Sequence, residues 1–504
     1  MNKKRLNRRR LLQALSVGSV GGAVLAACGE TITVTKEVPV EVIKEVQVAG
    51  ETVVKEVKVE VAGPSVIKEV EVEVEVVKEV IKEVETLVEM PTKKVTLRVS
   101  THGSPASDAL VEIGKDFETS TGHTVEFLFD AYSQIQPKHF AEAAAQTGAF
   151  DIIGYPYPNI GAYVQGGLLA DLRPLFASGI ADPDFDIADF NQIVLRTYGE
   201  YEVGGYTGLF GLPHKFDIFL GMYRPDLWEA AGVELPGDDF SYADLLDAAA
   251  KLAPSQGDDP VITLPLKAGG PTFTNWSAIY RSEDGDYFDE NKFPMFTGDN
   301  AVTAVEQLRS YLPYMPDDAL TLNFDPALRI MAAGRAAYHE NWNGFFPVIL
   351  DPSQSEITDK VAFIPTPAGT VKRAQELGGW ALGVARDSQS KEAAFQLLQA
   401  LTSKANAVQY VQGGGASARS SVATDPDIVA KFPYYPLMIA ALEGAVPRPK
   451  DPTWGPTQGL IGNAVNAALQ PGQDAKSALV EAAREVYNLV QRQGFTPEVT
   501  GDKP

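Results

Sequence analysis

The sequence predicts an α/β fold whose sheets are mostly parallel. Its 504 residues are 45% hydrophobic, which is enough to bury a sizeable core, and the length suggests more than one domain. From residue 94 onward, short apolar strands alternate with amphipathic helices, and this alternation predicts parallel strands flanked by helices. Every Phe, Tyr and Trp lies at or after Phe117, so residues 94–504 form the predicted folded module.

The predicted elements follow this alternation in chain order. A strand at 95–99 leads into a loop with His102, and the next helix carries Leu110, Ile113 and Phe117 on one side. A strand at 125–129, a helix at 140–146 and a strand at 150–153 complete the opening unit. Later strands are predicted at 336–340, 360–363 and 380–384, and later helices at 242–251, 301–311, 391–401 and 475–491.

Residues 1–27 predict a removable export signal. They carry a cluster of Lys and Arg without any acid, followed by an apolar stretch of small residues. Asn7-Arg8-Arg9-Arg10 resembles a twin-arginine signal, with ordinary secretion as the alternative. Leu25-Ala26-Ala27-Cys28 resembles a bacterial lipobox, so we expect lipidation of Cys28 and anchoring at the outer face of the bacterial cell membrane. The alternative is an accidental or buried cysteine after an ordinary signal.

Residues 28–93 predict a spacer between this anchor and the folded module. Lys-Glu-Val recurs six times in this low-complexity segment, which has no aromatic residue from which to build a core. Strand and helix periodicities disagree within it, so a coiled coil, paired strands and a flexible charged tether all remain open.

Charge and composition exclude several function classes. The formal net charge of −23 repels phosphate over most of the surface, so we expect no nucleic-acid partner. The single cysteine rules out an internal disulfide and a cysteine-built metal cluster, and five histidines offer little for zinc. The usual catalytic motifs are absent, so we expect no enzyme activity, no cofactor and no metal.

Aromatic residues with polar neighbours are the candidate binding residues. A sugar ring needs an apolar plate for its C–H face and hydrogen-bond partners for its hydroxyls. The sequence places such residues in loops or just past strands, where ligands bind open α/β sheets. The candidates of this kind are Tyr155, Asn275, Trp276, Trp342, Trp380 and Trp454. Each tryptophan could equally be a core residue.

Several motifs, in order and spacing, resemble the extracellular solute-binding proteins of bacterial ABC importers, in the group that includes maltose-binding members. The resemblance covers about residues 94–495. The matching blocks are Phe117 to Val125 with its Thr-Gly, Gly166-Gly167-Leu168-Leu169-Ala170-Asp171-Leu172, Gly211-Leu212-Pro213, Met222 to Gly232, Met331 to Tyr338, and Gly378-Gly379-Trp380 to Val384.

The resemblance implies a two-lobed periplasmic-binding-protein-like fold of type II, each lobe a mostly parallel sheet flanked by helices. Lobe 1 would take about 94–214 and 381–417, and lobe 2 about 215–380 and 418–495, with the ligand cleft at the hinge. The site residues implied are His102, Tyr155, Asp217, Trp276, Trp342, Trp380 and Trp454, with Asn275 beside Trp276. His102-Gly103-Ser104 replaces the charged pair of the maltose type.

The expected function is a lipid-anchored receptor that captures a neutral sugar or oligosaccharide by hinge closure and delivers it to ABC permease subunits. A sugar phosphate is an alternative solute, because Lys215, Arg281 and Arg419 could pair with phosphate. A polyamine is another, since it would suit an acidic cleft. The rival classes are a polysaccharide hydrolase with two carboxylates and a surface adhesion or sensor protein.

Overall fold

A computed structural model describes residues 94–494 and, upstream of them, two short strands. These strands, β1 (Thr33–Val34) and β2 (Glu60–Val61), pair in parallel. The predicted export signal, Cys28 and the rest of the predicted spacer lie outside the described residues. The chain from Val95 onward forms a compact unit of its own. Within the described part of the chain, we find no helix with the length and apolar character needed to cross a membrane.

A mixed sheet organises this unit. Its strand order is β4-β3-β5-β12-β8-β10-β9, with β11 also paired to β8 and β13 to β12. Strands β4, β3 and β5 run parallel, whereas β12 and β8 run antiparallel to their neighbours in this order. The strands are β3 (Thr96–His102), β4 (Thr124–Asp130), β5 (Ile152–Pro156), the hairpin β6 (Glu200–Val203) and β7 (Tyr206–Leu209), β8 (Leu212–Tyr223), β9 (Ile262–Thr263), β10 (Tyr338–Trp342), β11 (Ala362–Pro365), β12 (Gln375–Val384) and β13 (Ala445–Val446).

Helices connect and cover the strands. They are α1 (Ser107–Thr121), α2 (Tyr132–Ala145), α3 (Ile160–Gln165), α4 (Arg173–Ala177), α5 (Gln192–Gly199), α6 (Pro225–Ala230), α7 (Tyr242–Gln256), α8 (Gly270–Ser282), α9 (Asp299–Tyr311), α10 (Phe324–Ala332), α11 (Phe346–Leu350), α12 (Lys391–Thr402), α13 (Lys404–Gln412), α14 (Ser420–Ala423), α15 (Pro426–Lys431), α16 (Tyr435–Ala441), α17 (Trp454–Ala468) and α18 (Ala475–Arg492).

The α/β fold is confirmed, and the predicted strands and helices are present with shifted ends. The helix expected at 140–146 begins eight residues earlier, at Tyr132, and contains Pro137. The long strand β8 and the helix α8 were not predicted, whereas the late helix that the family resemblance implies near Trp454 is present as α17. Two long antiparallel strands therefore lie at the centre of a sheet that was expected to be mostly parallel.

Two hydrophobic cores form on this frame. The first takes most buried apolar residues from Leu97 to Met222 and from Leu377 to Leu442, and the second takes those of α7 to α9, α17 and α18. The prediction assigned 418–442 to the second lobe, but these residues pack in the first core. Arg419 accounts for this placement, because its buried guanidinium donates to the carbonyl oxygens of Thr402 and Asp186.

A buried carboxyl group lies within the sheet. Glu340 of β10 is 2% exposed, and Tyr338 donates a hydrogen bond to its Oε1 at 2.8 Å. Burial raises the pKa of Glu340 to about 7, so the folded protein keeps a proton that an unfolded chain releases near pH 4.5. The stability that this proton gives is complete below pH 4.5 and is lost as the pH rises through about 7.

We therefore expect Glu340→Gln to change how stability depends on pH. Between pH 4.5 and pH 8, the free energy of unfolding of the wild type should fall by about 3 kcal/mol relative to the variant. Urea unfolding at pH 5, 6, 7 and 8 measures this difference. The histidines titrate equally in both proteins and cancel. If the free energies of unfolding of the wild type and the variant differ by the same amount at every pH, the buried, protonated state of Glu340 is contradicted.

Candidate functional site

One face of the central strands carries aromatic and charged residues. In the antiparallel register, Trp380 of β12 pairs with Lys215 of β8, and Gly378 pairs with Asp217. Trp342 of β10 pairs with Phe219, two residues further along β8. Because paired residues and alternate residues of a strand share a face, these side chains all point the same way. We call this side of β8, β10 and β12 the polar face.

An aromatic cluster lies at one end of the polar face. The His102 ring stacks on Trp380 with centroids 5.0 Å apart and planes inclined by 15°. The Tyr132 ring contacts both edge-on, at 6.3 Å from His102 and 5.8 Å from Trp380. Trp380 is 5% exposed and Tyr132 is 55% exposed, so Tyr132 connects the cluster to solvent.

A lysine–aspartate pair lies next to this cluster. Lys215 Nζ is 3.4 Å from Asp217 Oδ2, and both side chains are almost fully buried. Gly344 lies against them, since a Cβ atom at this position would come within 2.6 Å of Asp217 Oδ1. The Phe345 ring centroid is 6.0 Å from Lys215 Nζ. Glycine at 344 thus lets the backbone approach the Asp217 carboxylate closely.

A second ion pair covers Trp342. Arg448 Nη2 is 2.7 Å from Glu376 Oε2, and the guanidinium lies 5.3 Å from the Trp342 ring centroid. Gly378 lies close to the six-membered part of this ring, because a Cβ atom there would come within 2.6 Å of Trp342. Arg448 and Gly378 therefore both pack against the indole.

Two polar atoms at the polar face have no hydrogen-bond partner among the described residues. They are His102 Nδ1 and Asp217 Oδ1, both shielded from solvent. Burial, with the Lys215 charge as a second cause, lowers the pKa of His102 to about 4, so its imidazole is neutral at physiological pH. A neutral imidazole nitrogen and a carboxylate oxygen beside aromatic plates can hydrogen-bond hydroxyls while the plates stack on C–H groups.

The structure brings together four of the eight predicted site residues: His102, Asp217, Trp342 and Trp380. The other four lie elsewhere. Tyr155 is fully buried in the first core, where its hydroxyl donates to the Tyr198 carbonyl oxygen.

The loop predicted around Asn275 and Trp276 is wrong, because both residues lie inside α8. Trp276 is fully buried, and its Nε1 donates to the Ala301 carbonyl oxygen. Asn275 donates to the carbonyl oxygens of Pro265 and Pro271. Trp454 begins α17 and packs in the second core against Tyr287, at 4.8 Å between ring centroids.

Two arginines that could have served a phosphate are engaged away from this face. Arg419 is buried in the first core. Arg281 pairs with Asp286 at 2.9 Å and lies over the Tyr287 ring. Of the three predicted cations, only Lys215 belongs to the polar face. In residues 94–494, no group of three His, Cys, Asp or Glu side chains is arranged to hold a metal ion.

Sequence reasoning missed Tyr132, Glu376 and Arg448. The sequence position of Tyr132 could have indicated a site residue, since it lies two residues after the carboxyl end of β4. Ligands bind open sheets at this edge. Glu376 and Arg448 are 72 residues apart in the chain, and no local pattern links them.

Two concavities lie away from the polar face. The smaller one is lined by His139, Glu142 and Asp387. The larger one is an open groove between α17 and α18, lined by Leu460 and Leu489. Neither contains the predicted aromatic residues.

Residues 103–408, more than half of the chain, match the model of the bacterial extracellular solute-binding protein family. A probable amino-acid ABC transporter periplasmic-binding protein of Sinorhizobium fredii is 27% identical over 395 residues, covering 77% of this chain and 88% of that protein. A mannitol-binding protein of Pseudomonas aeruginosa is 30% identical over 201 residues, covering 39% of this chain and 46% of that protein.

Solved structures with the same fold include solute-binding proteins crystallised with polyols and sugars. An Agrobacterium radiobacter ABC transporter protein in complex with ribitol superposes with a TM-score of 0.71 at 24% identity, covering 78% of this chain and 98% of that one. The maltose-bound MalE3 of T. maritima superposes with a TM-score of 0.70 at 22% identity, covering 78% of this chain and 100% of that one. The chain therefore belongs to the bacterial extracellular solute-binding protein family.

Proposed function

We propose that this protein is the receptor of a bacterial ABC importer and that it closes its polar face around a small neutral polyhydroxyl solute, a sugar or an alditol. The observation that carries the proposal is the pairing of unpartnered His102 Nδ1 and Asp217 Oδ1 with the rings of Trp380 and Trp342. The relative named for mannitol and the similar structures solved with ribitol and maltose support the same solute class.

Closure is part of the proposal because the site is almost sealed. Trp342, Trp380 and Asp217 are each less than 10% exposed, and only Tyr132 opens widely to solvent. A solute can reach these groups only if the segments around the polar face first separate. Its binding energy then favours the closed state, because the contacts with both sides exist only there.

Charge favours a neutral solute over the charged alternatives. Each charge at the polar face already has a partner of opposite sign, Lys215 with Asp217 and Arg448 with Glu376. A sugar phosphate or a polyamine would have to compete with one of these buried pairs. An amino acid, the solute class in the name of one relative, is the second candidate, because a zwitterion could contact Lys215 and Asp217 together.

A thermal-shift screen of the purified chain tests the solute class. The panel contains monosaccharides, disaccharides, alditols, sugar phosphates, polyamines and amino acids. We expect a neutral polyhydroxyl compound to raise the melting temperature most, since a ligand at a thousand times its Kd adds about 4 kcal/mol to the free energy of unfolding. A shift from amino acids alone would favour the second candidate, and a silent panel would contradict the receptor proposal.

Trp342→Ala and Trp380→Ala should each weaken binding of the identified solute at least about tenfold, because both remove a stacking surface. Trp276→Phe is the matched control, since Trp276 lies in the second core and should leave the affinity unchanged. Isothermal titration calorimetry measures all three. Equal losses in the three variants, or a loss in the control alone, would contradict the assignment of the site.

The anchor is the second part of the proposal. We place the receptor on the outer face of the cell membrane, held by a lipid on Cys28 of the lipobox after export by the twin-arginine pathway. Cys28→Ala should abolish incorporation of labelled palmitate in a bacterial host and move the protein out of the membrane fraction. Ala27→Ser, which keeps a small residue before the cysteine, is the control. Membrane retention of the Cys28→Ala protein would contradict the lipid anchor.

A further inference from the structure

Arg448 occupies the segment through which the chain passes from the first core to the second. Leu442 is the last member of the first core, and Trp454 is the first residue of α17 in the second. The Arg448 backbone N–H donates to the Tyr157 hydroxyl at 2.9 Å, and that hydroxyl donates to the Leu377 carbonyl oxygen. The position of Arg448 is therefore set by β12 and by the residue that follows β5.

The charge of Arg448 is buried and compensated. Its Nε donates to Glu376 Oε2 at 2.8 Å, and Nη1 donates to Gln458 at 3.2 Å. Ser277 donates to the other oxygen of Glu376. Burial is the largest single influence on the pKa of Arg448 and lowers it, but the Glu376 charge and hydrogen bond, together with Tyr157 and Tyr287, raise the pKa overall. Removing one member of such a pair leaves the other charge uncompensated in the interior.

This compensated charge faces the proposed solute site. The guanidinium lies 5.3 Å from the Trp342 ring centroid and 5.2 Å from that of Phe273. The positive charge thus lies beside the stacking ring of Trp342.

We propose that Glu376 determines the charge selectivity of the receptor. By neutralising Arg448 beside Trp342, it keeps the site for neutral polyhydroxyl compounds and excludes their carboxylate derivatives, the aldonates and uronates. The inference rests on the proposed function, and it assigns to Glu376 a role in choosing the solute and not only in holding the fold together. A solute carboxylate could replace the Glu376 carboxylate at the guanidinium if that partner were removed.

The test compares two probes with the same carbon chain, D-glucitol and D-gluconate, which differ in whether the first carbon is a hydroxymethyl group or a carboxylate. In Glu376→Gln, the affinity for gluconate relative to glucitol should rise about tenfold or more, because Arg448 is left without its anion. In Glu376→Gln/Arg448→Met the preference should return to that of the wild type. Glu306→Gln on α9, which also breaks an arginine pair, is the control and should not change it.

Each outcome bears on one proposal. The role of Glu376 is overturned if the affinity for gluconate relative to glucitol is unchanged in Glu376→Gln. It is also overturned if this relative affinity rises equally in the double variant. If the wild type binds neither glucitol nor any other neutral compound, the proposed function fails, while a gain of gluconate binding confined to Glu376→Gln still supports the selectivity role. Should Glu376→Gln not fold, Arg448→Met supplies the mirror test. It should favour cationic D-glucamine over glucitol, and an unchanged preference overturns the role.

Discussion

The antiparallel pairing of β8 with β12 is the constraint on which the rest of the structure depends. Every residue of both strands is buried, so both faces of the pair must be packed. Alternation along β8 gives Phe216, Ile218 and Leu220 to the first core and leaves Lys215 and Asp217 on the opposite side. The same pairing therefore builds a hydrophobic core on one face and presents polar groups on the other.

Buried charges on the polar face would be costly without their partners. Desolvating an ion pair consumes much of its attraction, so the pairs of Lys215 with Asp217 and Arg448 with Glu376 add little to stability by themselves. Their value is positional, because they hold two carboxylates and two cations among aromatic rings in a fixed arrangement. Gly378 contributes to this arrangement, since any larger residue would meet the Trp342 ring.

The sequence was informative where contacts are local. Strands β3, β4 and β5 follow from apolar runs separated by helical spacing within about 60 residues, so their presence and parallel direction could be predicted. Strand β8 was missed because His214, Lys215 and Asp217 interrupt its apolar pattern. Trp276 was misplaced because Gly270 and Pro271 suggest a loop, although proline is also favoured in the first turn of a helix, as in α8. The Arg448–Glu376 contact depends on tertiary packing, which no local pattern records.

The proposed site is tested most directly by a crystal structure of the chain with the solute that stabilises it most. We expect the solute to lie against Trp342 and Trp380, with hydroxyls bonded to His102 Nδ1 and Asp217 Oδ1. The carboxylate of Glu376 should still contact Arg448. A solute in the groove between α17 and α18, or one at the polar face that leaves both His102 Nδ1 and Asp217 Oδ1 without a partner, would contradict the proposed site.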